Sequence, residues 1–425
     1  MINLLEAKAI HFIGIGGISM SAIAFVLLEK GIQISGSDAK DSDIVQSLIE
    51  AGATVNIGHS ASNVGAVEAI VYTGAIDSSN PEFAVAKEQN IPLLRRTEAL
   101  NQILTDYPVI IAVSGTHGKT STSTMVTQIL RWANQDPSYM IGARLAHDNK
   151  AYHITNSDYI AVEACEYKAS FLDLTPTTIV VNNIEEEHLD FYKSLDAIVD
   201  TFGKFASTLN ADNFLVLNID DPNTKRLDKH PLAQVITYSL HHEADYEARH
   251  LVFDSNANPT FDLYIDSAFI CKITLSVPGK HNVYNALAAI ASTHANGIDA
   301  LVAKEALANF TNAERRYEVL GQYYGSTLVT DYAHHPSEIK ATLSAAMNLA
   351  HQEVIAVYQP HTYSRTYSLL DETARAFKGA SHVLITDIYA AREVNTYGIH
   401  ATDLVEALKK EAIDAIYVGA LEDLG

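Results

Sequence analysis

The chain has 425 residues, too many for one ordinary hydrophobic core, so about two to four domains are expected. It is 48% hydrophobic and 19% charged, the balance of a globular chain, and its formal net charge of −22 disfavours nucleic acid and anionic lipid as partners. A small phosphorylated ligand stays open, because backbone amides and a few cations can build a local positive site. Cys165 and Cys271 are too few for a disulfide framework and suit a reducing cytosol. No apolar run is long enough for a membrane span, and the first ten residues do not read as a secretory leader, so a cytoplasmic protein with no membrane partner is expected.

In chain order, β-rich runs fall at 10–15, 69–72, 109–113, 159–162, 178–181, 214–217, 327–329, 354–358 and 383–385. Helix-like stretches at 19–29, 120–133, 195–207, 282–295 and 336–348 lie between them. This alternation predicts α/β domains with mainly parallel sheets. Three blocks follow: residues 1–107, 108–314 and 315–425, with 250–277 a small β-rich insertion in the second.

The first block opens with a strand, the turn Gly14-Ile15-Gly16-Gly17 and a helix. A dinucleotide-binding turn would carry a third glycine at position 19, where Ser19 stands. Asp38 follows the second strand, where a carboxylate can meet a ribose or uracil, or simply cap a turn.

The second block repeats the design with a different loop. The buried-strand pattern Ile110-Ile111-Ala112-Val113 runs into Ser114-Gly115-Thr116-His117-Gly118-Lys119-Thr120-Ser121 and then a helix. Glycines let backbone N–H groups converge on phosphate, and the helix N-terminus adds positive potential. Lys119 would reach the β- and γ-phosphates of a nucleotide, and the Thr120 hydroxyl would bind Mg²⁺. The bland alternative is a plain strand–helix turn, but strand, glycines, lysine and hydroxyl all fall in order. Glu163 ends the strand 159–162, and a carboxylate facing such a loop suits Mg²⁺, which prefers oxygen ligands. His334 and His335 are adjacent, so their side chains should diverge, and a dedicated metal site made by that pair is not expected.

The loop Gly-Thr-x-Gly-Lys-Thr resembles that of the Mur ligases, and the resemblance covers nearly the whole chain. It is carried by His11 to Gly17, Gly36-Ser37-Asp38, Asn80-Pro81-Glu82, Arg95-Arg96 and Gly115 to Thr120. It continues through Glu163, Asn183-Ile184-Glu185, His188, Gly279 to Asn282 with Asn285, and Arg315-Arg316. It ends with Asp331 to Pro336, Gln359-Pro360-His361, Ser364-Arg365-Thr366 and Arg392-Glu393.

The resemblance implies three domains: a Rossmann-like N-terminal domain for a UDP-sugar, a central P-loop ATPase-type domain, and a C-terminal Rossmann-like domain that helps bind an amino acid. It implies ATP and Mg²⁺ as cofactors, UDP-N-acetylmuramate and L-alanine as reactants, and an acyl-phosphate route. For the UDP-sugar it implies Gly16, Gly17, Ser37, Asp38, Thr73, Ala75 and Ile76. For ATP it implies Gly115 to Ser121, Asn282, Asn285, Arg316 and Asp331. Thr120, Glu163 and His188 would serve the metal; Lys119, Glu163, His188 and Arg316 catalysis; His335, His361 and Arg365 the amino-acid and muramoyl groups.

The chain departs from the family pattern at Cys165 and Glu187, where the family has aspartates, and at Asn312, where it has glycine. The C-terminal domain reads as truncated, because the family continues past 420–425 into a further strand. The nearest other reading is a related ligase that attaches a whole tripeptide to the same UDP-sugar, whose first loop resembles Gly-Ile-Cys-Gly where this chain has Gly14-Ile15-Gly16-Gly17. A non-catalytic nucleotide binder and a dehydrogenase are the others. The retained Lys119, Glu163, His188 and Arg316 speak against the binder, and Ser19 and the phosphate loop against the dehydrogenase.

Overall fold

The computed structural model describes residues 2–421, apart from positions 75, 77, 189–190, 230–231, 350–352 and 392. The first domain is a parallel sheet of β1 (Ala9–Ile13), β2 (Gln33–Asp38), β3 (Thr54–Ile57), β4 (Ala69–Tyr72) and β5 (Leu93–Arg95). Its order, β3-β2-β1-β4-β5, is that of a Rossmann half with two added strands. The glycine turn expected after the first strand is present. Gly14 takes φ +80°, and the turn feeds the helix Ile18–Glu29.

The second domain is built on a ten-stranded sheet. Its strands are β6 (Val109–Ser114), β7 (Ser138–Leu145), β8 (Lys150–His153), β9 (Tyr159–Glu163), β10 (Thr178–Val181), β11 (Phe214–Asn218), β12 (Gln234–Ser239), β13 (Tyr246–Phe253), β14 (Pro259–Ile265) and β15 (Ala268–Thr274). β6 lies between β10 and β9, parallel to both. Its residues alternate between two cores: Ile110 and Ala112 belong to one that includes the helix Leu195–Ala206 and runs on into the N-terminal domain, Ile111 and Val113 to one that includes the helix Lys280–Ala295. A strand buried on both faces reads as a continuous apolar run, which is why it was legible. The expected insertion is the antiparallel edge β13-β14-β15, which extends the main sheet.

The third domain differs from expectation in one respect. The run 327–329 is a strand as expected, but it stands outside the domain's parallel sheet. Instead β16 (Glu318–Tyr323) and β17 (Ser326–Thr330) form a separate antiparallel ribbon. Tyr324 and Gly325 both take positive φ, 47° and 85°, as a two-residue hairpin turn demands. The parallel sheet is β18 (Ile355–Tyr358), β19 (His382–Thr386) and β20 (Ala415–Gly419), covered on one face by the helices Leu370–Ala376 and Ala401–Lys410.

The N-terminal domain is organised around a buried carboxylate. Glu82 Oε2 accepts from Ser37 Oγ at 2.7 Å and faces His11 Nε2 at 3.4 Å, while Oε1 accepts from Asn63 Nδ2 at 2.8 Å. Burial alone would raise its pKa, but the bonds from His11, Ser37 and Asn63 outweigh burial and hold it at about 2. Glu82→Ala is therefore expected to destabilise the domain by about 3 kcal/mol or more, because it strands the groups that bonded to it. Denaturant midpoints at unchanged slope check this. The native carboxyl lies below the ordinary value of 4.5, so its contribution is present above pH 4.5 and is lost as pH falls toward 2. Equal acid sensitivity in wild type and Glu82→Gln would remove Glu82 as the cause.

Candidate active site

The phosphate loop follows β6 and ends at Lys119, the first residue of the helix Lys119–Trp132. Gly118 is the N-cap, with φ +80°. A Cβ there would meet Asn285 Oδ1 at 2.5 Å and Asn182 Nδ2 at 2.9 Å, so the position requires glycine on both backbone and space grounds. Gly118→Ala is expected to lower the melting temperature and weaken nucleotide binding, with backbone strain alone costing about 1–2 kcal/mol. Calorimetric melting and ATP titration check it, and a silent substitution would disprove the tight packing. The loop is fastened from the side: Asn183 accepts from Thr116 N at 3.0 Å through its carbonyl and from His117 N at 2.7 Å through Oδ1.

Lys119 Nζ donates to the Gly115 carbonyl at 2.5 Å and the Thr116 carbonyl at 3.0 Å, and pairs with Glu166 at 3.1 Å. Burial pushes the ammonium pKa down, but Glu166 and the nearby Cys165 and Glu163 outweigh it and raise it. Glu166 also faces His188 Nε2 at 3.5 Å, so one buried carboxylate ties the phosphate-loop lysine to the histidine. His188 sits at φ +56°, a conformation few non-glycine residues adopt, and its carbonyl accepts from Phe191 N and Tyr192 N.

Glu163 ends β9 level with Val113 of β6, and its Oε1 accepts from Gly142 N at 2.9 Å. Thr120 is buried, and its Oγ1 accepts from Arg316 at 3.1 Å. That contact carries the C-terminal side of the chain onto the phosphate loop. Arg316 is flanked by Arg315 and Tyr317, both at positive φ.

Two clefts open along the seam between the central and C-terminal domains. One, of about 380 Å³, is lined by Ser121, Asn285, Asp220, Arg316, Asp331 and Glu338, between the central and C-terminal domains. Asp331 is held by Tyr317 N and Ala333 N, each at 2.7 Å. Asn282 does not line this cleft. It is buried, donates to the Pro278 carbonyl and accepts from Asn285 Nδ2 at 3.0 Å, so it orients Asn285 from behind.

The other cleft, of about 630 Å³, is lined by Cys165, Tyr167, Glu187, His188, His361 and Arg365. Arg365 donates to Glu187 at 2.8 Å across the two domains and also approaches His361 Nδ1 at 3.0 Å. Both partners of the Arg365–Glu187 pair are largely buried. Burial would raise the Glu187 pKa, but Arg365 and His188 hold it at about 2.

Adjacent histidines diverge here as expected. The His334 ring lies 5.7 Å from His361, while His335 turns to His117, with ring centroids 4.6 Å apart. His335 thus stands apart from His361 and Arg365, with which it was grouped for the amino-acid side. It caps the helix Pro336–Met347 and faces Glu185. His117 Nδ1 bonds Glu338 of that helix at 3.0 Å.

Among the residues expected at the UDP-sugar, Gly16 N donates to Asp38 at 2.8 Å, and Gly17 caps the following helix, its N–H meeting the Gly14 carbonyl at 3.5 Å. Thr73 packs against Gly14, and Ile76 N bonds the Thr73 carbonyl. Ser37 is a correction: it is fully buried, and its hydroxyl is used by Glu82 and His59, so it holds the sheet rather than a ligand. Ala75 and Arg392 lie outside the described residues.

Sequence reasoning assigned no role to Glu166, Glu187 or Glu338. Glu187 stands at a noted departure, and Glu338 occupies the third position of a helix capping box, a local pattern that hides its partner His117.

The fold and site define a three-domain nucleotide-binding protein with a phosphate loop at the seam between its second and third domains. Three family models match it: the Mur ligase family catalytic domain over residues 9–108, the Mur ligase middle domain over 113–293, and the Mur ligase glutamate ligase domain over 315–424. The UDP-N-acetylmuramate--L-alanine ligases of Caldanaerobacter subterraneus subsp. tengcongensis and Clostridium novyi are each 43% identical to it over 98% of this chain and 91% of theirs. The crystal structure of UDP-N-acetylmuramate-alanine ligase from Thermotoga maritima superposes with a TM-score of 0.83 at 26% identity, covering 99% of this chain and 92% of that one. The chain belongs to the Mur ligase family.

Proposed function

We propose that the protein is a cytoplasmic ATP- and Mg²⁺-dependent ligase that joins L-alanine to UDP-N-acetylmuramate in the synthesis of peptidoglycan precursors. Its relatives at 41–43% identity over nearly the full chain carry that name. The observation that carries the chemistry is the run of contacts along the phosphate loop, Thr120 with Arg316 and Lys119 through Glu166 to His188, with Arg316 lining the smaller cleft and His188 the larger.

ATP occupies the smaller cleft, with its γ-phosphate over Lys119 and Arg316. The muramoyl carboxylate attacks that phosphorus, the bond to ADP breaks, and an acyl phosphate forms. The amine of L-alanine then attacks the acyl carbon, phosphate leaves, and the amine proton passes to a base or to water. Lys119 and Arg316 stabilise charge on the transferring phosphoryl group. Glu163 and Thr120 offer hard oxygen donors beside the loop, a set that fits Mg²⁺. When bound, Mg²⁺ neutralises phosphate charge.

His188, between Glu166 and Glu187, faces the cleft where the amine enters. The larger cleft takes the muramoyl and amino-acid groups, with His361 and Arg365 as carboxylate contacts. The glycine turn at Gly16 and Gly17 takes the UDP pyrophosphate at a helix N-terminus.

The test is phosphate release with ATP, Mg²⁺ and UDP-N-acetylmuramate, comparing L-alanine, glycine, L-serine and a tripeptide. Turnover is expected to need all three substrates and to be fastest with L-alanine. ATP hydrolysis indifferent to UDP-N-acetylmuramate would overturn the assignment, and preference for the tripeptide would move it to the murein peptide ligases.

A further inference from the structure

At the seam between the central and C-terminal domains, three side chains present ligand atoms to one another within 4.8 Å: His117, Glu185 and His335. Glu185 Oε2 lies 3.5 Å from His117 Nε2 and 3.6 Å from His335 Nδ1. Donors on a tetrahedral zinc ion with bonds of about 2.0–2.1 Å stand roughly 3.3 Å apart, so two of the three separations are near those of an occupied site.

The hydrogen bonding around the cluster sharpens this. Glu338 engages His117 Nδ1 at 3.0 Å, and a carboxylate there requires the proton to sit on Nδ1. Nε2, on the other side of the ring, is buried and faces the Glu185 carboxylate. His335 Nδ1 carries a lone pair that accepts a long 3.3 Å contact from Ser337 N, and Glu185 Oε2 accepts from Ser337 Oγ at 2.5 Å. Two carboxylates flanking one imidazole favour positive charge at this point, carried by a second imidazole proton in the metal-free protein, and a divalent cation takes that place by displacing the proton. Glu338 behind His117 completes the carboxylate–histidine arrangement by which proteins orient metal-bound imidazoles.

We propose that His117, Glu185 and His335 form a site for a divalent cation of the zinc class, distinct in its residues from the Thr120, Glu163 and His188 set read for Mg²⁺. Two imidazoles and one carboxylate favour zinc over magnesium, which demands oxygen ligands. His117 and Glu185 belong to the central domain and His335 to the C-terminal one, so a bound ion clips the domains together along the nucleotide cleft.

Equilibrium dialysis of the full chain against Zn²⁺, with Mg²⁺ in large excess, tests the site directly. One Zn²⁺ per chain is expected. Glu185→Gln and His335→Ala should each weaken it by tenfold or more, and Glu338→Gln by about tenfold, as loss of a supporting partner does. His335 caps a helix, so Glu185→Gln and a melting curve for each variant separate metal loss from misfolding. Cys165→Ser should leave zinc binding unchanged, and Co²⁺ in the site should show no thiolate charge-transfer band. Absence of Zn²⁺ binding, binding indifferent to Glu185→Gln and His335→Ala in folded protein, or binding lost in Cys165→Ser would overturn the proposal.

Discussion

Lys119→Ala is expected to lower the turnover of ATP-dependent ligation by about a thousandfold or more, the scale seen when a charge-stabilising donor is removed from where charge develops. The side chain already holds the loop in shape through the Gly115 and Thr116 carbonyls, and its ammonium faces Glu166. Removing it leaves a buried carboxylate beside the phosphate path with one partner fewer, which both repels the incoming nucleotide and costs stability. Two effects are thus superimposed, and Lys119→Arg separates them. It restores the charge, and with it most of the stability, but cannot reproduce the compact geometry of the ammonium. Steady-state phosphate release and thermal melting of both variants give the result. Near-normal turnover in Lys119→Ala with an intact fold would show that residues 115–120 do not hold the transferring phosphate.

The second large effect is expected at His188. His188→Ala should lower turnover by about 10² to 10⁴-fold, the range for a positioned proton-transfer group, while the affinity for ATP changes little. The side chain faces the larger cleft, away from the nucleotide walls, and its backbone holds an unfavourable conformation that the surroundings enforce. If it serves the amine, the variant still makes acyl phosphate, trapped with hydroxylamine as a hydroxamate. If it positions a metal, acyl-phosphate formation fails as well. Full activity would return His188 to a purely structural residue.

Local signals were legible in the sequence, and contacts across domains were not. β6, the glycine loop and its helix lie within about two dozen residues, and each step follows from a nearest-neighbour rule. Arg316 is 196 residues from Thr120, and Arg365 is 178 from Glu187. No periodicity reports such pairings. Glu166 carries no local signal beside Cys165, and its value lies in facing Lys119 and His188 together. Ser37 is assigned to the UDP-sugar by resemblance alone, and only the fold shows that its hydroxyl is taken by Glu82, 45 residues further along the chain. The run 327–329 has the residues of a strand, but the register of its partner is set by the Tyr324-Gly325 turn.

The Arg365–Glu187 pair gives the larger cleft a particular thermodynamic character. Arg365 is never an empty, waiting cation: a carboxylate of the protein already fills its fork. A substrate carboxylate that takes this arginine must evict Glu187, so association exchanges one anion for another and leaves the largely buried Glu187 in need of a new partner. Charge alone then earns an incoming molecule almost nothing, and free acetate or chloride compete poorly for the same reason. What decides entry is how well the rest of the ligand fits the walls around it, a built-in filter against the many small anions of a cell.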